Sequence, residues 1–195
     1  MIPEMLLSDF NAELGHFNPA EIIFEEDTTA HFYYQIKSGE VKMFNLNEAG
    51  KEFVQGFFYE GDSFGEPPVF ADFKYPASAM ATKASEIYRL PKTQLFELLT
   101  SHPDIHIKFT KELAKRLFYK ATILKGISNE PPETRILTLI DFLKNRDESE
   151  DLYQVALTRQ QIADMTGLRV ETVIRTIKQL EHDGEIQIIK RKVFR

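Results

Sequence analysis

The stretch Leu157-Thr158-Arg159-Gln160-Gln161-Ile162-Ala163-Asp164-Met165-Thr166-Gly167-Leu168 constrains the fold of this chain more than any other. Thr158 and Gln161 stand at capping-box spacing, so a helix can start there with its first backbone donors satisfied by side chains. Ala163 is small enough for a second helix to cross closely, and Gly167 permits the left-handed backbone of a tight turn. A second helix is expected from Arg169 to Asp183, burying Val173, Ile177 and Leu180 and stopping at Gly184. Two short strands, Glu185–Ile189 and Lys190–Arg195, follow as a basic wing. This order spells a winged helix-turn-helix, whose second helix can enter the major groove of DNA.

The net charge of −6 argues against a polyanionic partner until it is divided along the chain. Residues 156–195 hold eight bases and five acids, a local +3, so the remainder carries −9. A helical hairpin with no nucleic-acid role has no need of that excess. Arg169, Val170, Glu171 and Arg175 lie outward near the start of the second helix and are the candidate base readers. An arginine can bond the paired acceptors of guanine, a glutamate can accept from a cytosine amino group, and a valine can touch a thymine methyl. Glu171 and Arg175 could equally form an i,i+4 ion pair worth about 0.2–0.5 kcal/mol on a solvated face. Arg159, Thr172, Lys178, Lys190, Arg191 and Lys192 are candidate phosphate contacts, which position without specifying.

Upstream, the first ninety residues read as short strands. Ile22–Phe24, His31–Ile36, Glu40–Phe44 and Phe53–Phe58 are aromatic and β-branched, with Ser38-Gly39, Asn47–Lys51 and Glu60-Gly61-Asp62 as turns. That spacing suggests a barrel or jelly roll. From Pro103, a residue suited to a first helical turn, the chain runs to Lys125 without Gly or Pro. Ala114, Leu117, Ala121 and Leu124 alternate three- and four-residue spacings, a seam for a partner helix, while Phe109 and Leu113 face the β domain. Gly126–Pro132 reads as a hinge, a helix follows over Glu133–Lys144, and Asn145–Asp151 reads as a surface loop. The expected class is α+β: a β-roll sensor domain over 1–102, a dimerisation helix and hinge over 103–128, and a winged helix-turn-helix over 129–195.

This order of parts resembles the Crp/Fnr family of bacterial transcription regulators over almost the whole chain. Lys37-Ser38-Gly39-Glu40-Val41-Lys42 and Glu60-Gly61-Asp62-Ser63-Phe64-Gly65-Glu66 are similar to the family's glycine turns and phosphate cassette. Leu157–Ala163 and Val170-Glu171-Thr172-Val173-Ile174-Arg175 are similar to its DNA-reading helices. The resemblance implies a homodimer on a two-fold operator, contact with RNA polymerase, and an effector in the roll. The effector residues would be Glu66, Tyr75, Pro76 and Ala77 of the cassette with Phe118, Tyr119 and Lys120 of the long helix. Members that bind cyclic nucleotides carry arginine and then serine or threonine where this chain has Tyr75 and Pro76. A phosphodiester in a partly buried pocket needs a cation or several donors, and proline has neither a side-chain donor nor a backbone N–H. The expectation is therefore no cofactor, and an effector, if one binds, other than cyclic AMP. An apolar ligand among Phe73, Tyr75, Phe118 and Tyr119 is one alternative, and a roll filled by its own aromatics is the simpler one.

Composition closes other routes. The absence of cysteine excludes cysteine-ligated clusters, disulfides and thiol nucleophiles, and is compatible with a cytoplasmic site. No apolar run long enough for a membrane span and no signal-peptide pattern are present. A cupin-like metal enzyme would need clustered histidines, but the roll offers only His16 and His31, far apart. All five histidines, with His102, His106 and His182, read as surface residues. The chain is not expected to be an enzyme. A signalling module whose C-terminal domain contacts protein is the remaining alternative to a DNA-binding regulator.

Overall fold

A computed structural model describes residues 2–48, 50, 52–146 and 152–195, and the side chains of these except residues 122–129 and 146. The elements follow as α1 (Glu4–Asp9), β1 (Glu13–Phe17), β2 (Ile22–Phe24), β3 (Phe32–Ser38), β4 (Glu40–Leu46), β5 (Glu52–Tyr59), β6 (Ser63–Phe64) and α2 (Glu66–Ala71). Then come β7 (Ser78–Ala81), β8 (Ser85–Pro91), α3 (Lys92–Ser101), α4 (Pro103–Asn129), α5 (Pro132–Arg146), α6 (Arg159–Thr166), α7 (Val170–His182), β9 (Gln187–Ile189) and β10 (Lys192–Phe194). The chain divides into two compact units, Met1–Leu113 and Ala114–Arg195, with the division inside α4.

In the first unit, two four-stranded antiparallel sheets, ordered β1-β8-β3-β6 and β2-β7-β4-β5, enclose one core. Alternation along β3 and β4 aims Tyr34, Ile36, Val41 and Met43 inward, and Phe24, Phe64, Ala79 and Ile87 meet them from other strands. On α4, Phe109 sits against the rings of Tyr33 and Phe70, at 5.8 and 5.4 Å between centroids, and Leu113 is partly buried on the same core. These two residues do face the β domain. The opening stretch is not only strands: α1 and α2 interrupt it. Helix α2 starts at Gly65, whose φ of 73° is left-handed. A Cβ at Gly65 would lie 2.9 Å from Phe24 Cζ and 3.2 Å from Tyr75 Cε1, so both the backbone and the neighbouring rings demand glycine.

The expected hinge at Gly126–Pro132 is shorter than its composition implies. Helix α4 continues through Gly126 to Asn129, leaving Glu130 and Pro131 between helices. A glycine inside a helix costs about 1 kcal/mol relative to alanine, too little to end one by itself. Leu124 of the seam lies within α4, its side chain outside the described residues, and the expected loop at Asn145–Asp151 lies largely outside them too.

In the second unit α5, α6 and α7 pack on one another. Ile136, Leu139, Ile140 and Leu143 of α5 are buried, as are Ile162, Ala163 and Met165 of α6 and Val173, Ile177 and Leu180 of α7. Tyr119 of α4 stacks on Phe142 of α5 with centroids 3.5 Å apart. Ala114, Leu117 and Ala121 are exposed in the single chain, Leu117 to 71%.

Candidate nucleic-acid interface

The turn between α6 and α7 is held by the local chemistry its sequence carries. Thr158 accepts from the Gln161 N–H at 3.2 Å, and the Gln161 side chain accepts from the Thr158 N–H at 2.8 Å, a complete capping box. At the other end Gly167, with φ 68°, donates its N–H to Ala163 O, and Leu168 N–H reaches the same carbonyl at 3.2 Å. Arg169 then occupies the N-cap position of α7 in extended conformation, with no side-chain bond to the helix end. The far end of α7 closes as a Schellman motif: Glu185 N–H bonds Leu180 O at 2.9 Å and Gly184 N–H bonds Glu181 O at 3.1 Å. The C-terminal end of α7 is thereby fixed by backbone bonds alone, without using its outer face.

That outer face carries a groove of about 540 Å³ lined by Glu171, Ile174, Arg175, Lys178, Gln179 and His182. Arg169, Glu171, Arg175 and Lys178 are exposed, and Val170 and Thr172 are half-buried at the start of the helix. Glu171 sits in the first turn, where the helix dipole favours an acid. The alternative i,i+4 salt bridge is not formed: among the described residues neither Glu171 nor Arg175 is in an ion pair. Arg159 opens α6 partly buried, and burial lowers its pKa from the ordinary arginine value.

The wing is shorter at its tip and broader at its base than expected. Strands β9 and β10 pair with Lys192 opposite Ile189 and Phe194 opposite Gln187. Lys190 and Arg191 are therefore not in a strand. They form a two-residue loop with φ of 50° and 67°, both left-handed, the arrangement of a type I′ turn. Their side chains and that of Lys192 are exposed. A third segment joins the base, where Tyr153 and Arg195 exchange two backbone bonds of 2.9 Å and Val155 N–H bonds Val193 O. Its shortness hid it in the sequence.

Arg195, one of the eight bases in the local charge, is engaged within the fold. Its guanidinium donates to Asp141 Oδ1 at 2.8 Å, to Glu185 O at 2.6 Å and to Glu185 Oε2 at 2.7 Å. Asp141 first and Glu185 second raise its pKa above the ordinary value. It ties the wing to α5, a role that residue type alone could not disclose.

In the roll, Glu66 is buried and accepts from the Ser63 hydroxyl. Tyr75 is buried flat against Phe24, 3.8 Å between centroids and 12° between planes. Phe24 in turn contacts Tyr34 and Phe64, and Phe58 contacts Phe64, forming a chain of rings through the core. Burial, with Tyr34 and Glu66 nearby, pushes the Tyr75 phenol far above its usual value. Ala77 is buried, Pro76 is exposed with its carbonyl accepting from Asn45 Nδ2 at 2.7 Å, and Phe73 is exposed. On α4, Phe118 and Lys120 are exposed, while Tyr119 is taken up by Phe142. His102 departs from the surface expectation: it is half-buried, edge-on to Phe10, with Nδ1 3.2 Å from Leu98 O. Among the described residues no cluster of three potential metal ligands occurs, and no helix is long and apolar enough to cross a membrane.

A capped turn presenting a helix with free polar side chains, beside a basic hairpin, defines the winged helix-turn-helix class of DNA-binding proteins. Residues 134–194 match the Crp-like helix-turn-helix domain, and residues 14–102 match the cyclic nucleotide-binding domain. The chain is 31% identical over 165 residues to the cAMP-activated global transcriptional regulator CRP of Haemophilus influenzae, covering 83% of this chain and 73% of that one. It is 24% identical over 177 residues to the transcriptional activator protein anr of Pseudomonas aeruginosa, covering 89% and 72% respectively. The structure of FixK2 from Bradyrhizobium japonicum superposes with a TM-score of 0.76 at 21% identity, covering 93% of this chain and 91% of that one. The chain belongs to the Crp/Fnr family of bacterial transcription regulators. It is a DNA-binding regulator and not an enzyme.

Proposed function

We propose that this regulator acts in the cytoplasm as a homodimer on a two-fold operator, with α7 of each protomer in a major groove. The observation that carries the reading is the outer face of α7, where Glu171 and Arg175 are exposed and in no ion pair among the described residues. Arg175 bonds guanine and Glu171 accepts from cytosine at one G·C pair of each half-site, with Arg169 and Val170 beside them. Arg159, Thr172, Lys178, Lys190, Arg191 and Lys192 hold phosphates. Val170 cannot donate a hydrogen bond, so the neighbouring position prefers thymine over guanine.

The dimer forms along α4 through Ala114, Leu117, Ala121 and Leu124. Support comes from the three- and four-residue spacing of the seam and from the 71% exposure of Leu117 in the single chain. Contact with RNA polymerase is proposed on the family's behaviour alone. No cofactor is required, and an effector, if the roll takes one, is not cyclic AMP. The Tyr75–Phe24 stack supports this, since a buried phenol holds a position where the nucleotide-binding relatives carry an arginine. The test is operator selection from a random library with wild type, Arg175→Ala and Arg191→Ala. Arg175→Ala should flatten preference at one position per half-site, a loss of about 1–3 kcal/mol of discrimination. Arg191→Ala should weaken all sequences alike and reduce the salt dependence. Equal loss on every sequence for Arg175→Ala refutes the base contact.

A further inference from the structure

The wing is a small element that has to aim two charges. Strands β9 and β10 are three residues each and close through Lys190 and Arg191. A two-stranded hairpin of that size does not hold itself in place in water, so its direction is set at its base. There Ile186 and Val193 are buried, but apolar contacts carry no direction of their own. Direction comes from polar bonds that meet at Arg195. Its guanidinium reaches the carbonyl and carboxylate of Glu185, just before β9, and the carboxylate of Asp141 on α5. Lys144, also on α5, donates to the Arg195 carbonyl at 3.3 Å. One residue thus joins both ends of the hairpin to a helix. The exposure of this cluster decides what it is for: the side chains of Asp141 and Glu185 are 46% and 50% exposed. Ion pairs that wet contribute little to stability, whereas the planar fork of arginine fixes geometry. From Glu185 to Lys190 the chain spans about 17 Å at about 3.4 Å per residue. A tilt of about 10° at the base would therefore carry the tip about 3 Å, the length of a whole hydrogen bond.

We infer that Arg195 is a positioning residue for DNA binding, which clamps Glu185 to Asp141 and so aims the wing for Lys190 and Arg191 to reach backbone phosphates. The inference rests on the phosphate contacts proposed for the wing tip. Its consequence runs opposite to simple electrostatics. Asp141→Ala removes a negative charge from the DNA-binding unit and releases one bond of a guanidinium. If charge alone mattered, or if Arg195 itself held a phosphate, DNA affinity would rise or stay level. The clamp requires it to fall, because the tip keeps its charges and loses its aim.

The experiment follows binding of the full chain to the selected operator by fluorescence anisotropy at several salt concentrations, with calorimetric melts alongside. The proteins are wild type, Asp141→Ala, Arg195→Gln, Arg191→Ala and the double variant Asp141→Ala with Arg191→Ala. Alanine suits the interior of α5, so helix propensity is not lost at 141. Asp141→Ala and Arg195→Gln should each keep Tm within about 4 °C of wild type, as exposed ion pairs do. Both should bind more weakly, and the slope of log affinity against log salt should shallow by up to about 1.8 per half-site, two phosphates' worth. The base preference assigned to Arg175 should stay intact. Arg191→Ala, costly in the wild type, should be nearly silent in the Asp141→Ala background, because an unaimed tip has no contact left to lose. Affinity that holds or rises in Asp141→Ala, or an Arg191→Ala loss that is equal in both backgrounds, overturns this inference alone. A Tm that collapses in both clamp variants makes Arg195 a folding residue and overturns it too. If Arg191→Ala leaves the salt slope of the wild type unchanged, the phosphate contacts of the wing fall and this inference falls with them.

Discussion

Replacing Arg191 with glycine separates what the wing tip does for folding from what it does for DNA. Arg191 holds φ at 67° and its neighbour Lys190 at 50°, a region that costs an ordinary L-residue about 1–2 kcal/mol. Two-residue hairpin turns of this kind favour Asn-Gly for that reason. Glycine removes the steric cost at 191 but adds freedom to the unfolded chain, which returns about 0.5–1 kcal/mol. The net gain is about 0.5–1 kcal/mol, and at about 2–4 °C per kcal/mol for a chain of this size the Tm should rise by about 1–4 °C. Arg191→Ala is the control, because it removes the same charge and retains the left-handed strain, so its Tm should stay close to wild type. Both variants should bind DNA more weakly. With one phosphate lost per protomer, the slope of log affinity against log salt should shallow by about 0.9 per half-site. Calorimetric melts and anisotropy titrations at several salt concentrations give both quantities. A Tm that falls with glycine refutes the strain; an unchanged salt slope in both variants refutes the phosphate contact.

Light scattering across concentrations should show a wild-type dimer, and Leu117→Glu, which puts a charge on the seam, should shift it to monomer with its melting little changed; a monomeric wild type at micromolar concentration refutes the seam. Calorimetry should detect no tight binding of cyclic AMP, and a micromolar dissociation constant would overturn the reading of Tyr75 and Pro76. Thr158→Ala removes half of the capping box on α6 and should cost about 1 kcal/mol, lowering Tm by about 2–4 °C; an unchanged Tm would mean that the Gln161 arm of the box suffices.

The helix-turn-helix was legible because its signals are local. Thr158, Gln161, Gly167 and Gly184 each act on backbone groups a few residues away, so their spacing is their mechanism. The burial of Phe109 and Leu113 was readable for the same reason, as a period along one helix. What escaped was set by partners distant in sequence. Arg195 finds Asp141 across 54 positions, and nothing near either residue announces the pair. Tyr75 finds Phe24 the same way, and Gly65 is required partly because both rings press on it. The wing tip was misread because Lys190 and Arg191 are poor turn residues by propensity. The pairing of β9 with β10 imposes the turn on them.

The ring chain in the roll has an evolutionary consequence. Removing a buried aromatic such as Phe24 to open a ligand cavity costs about 3–5 kcal/mol, out of the 5–15 kcal/mol that a typical fold has in hand. A newly acquired ligand could restore that loss only by mass action, giving about 4 kcal/mol at a thousand times its dissociation constant. The ligand would thus have to be abundant and tight-binding before the cavity that admits it had been refined. Descent from an open roll to a filled one meets no such barrier, because each added ring stabilises the protein at once. In a roll that holds no ligand, the Phe24–Tyr75 stack would work as a ratchet, and a lineage that had passed it would more readily acquire a new signal on the outer surface of the roll than one inside it.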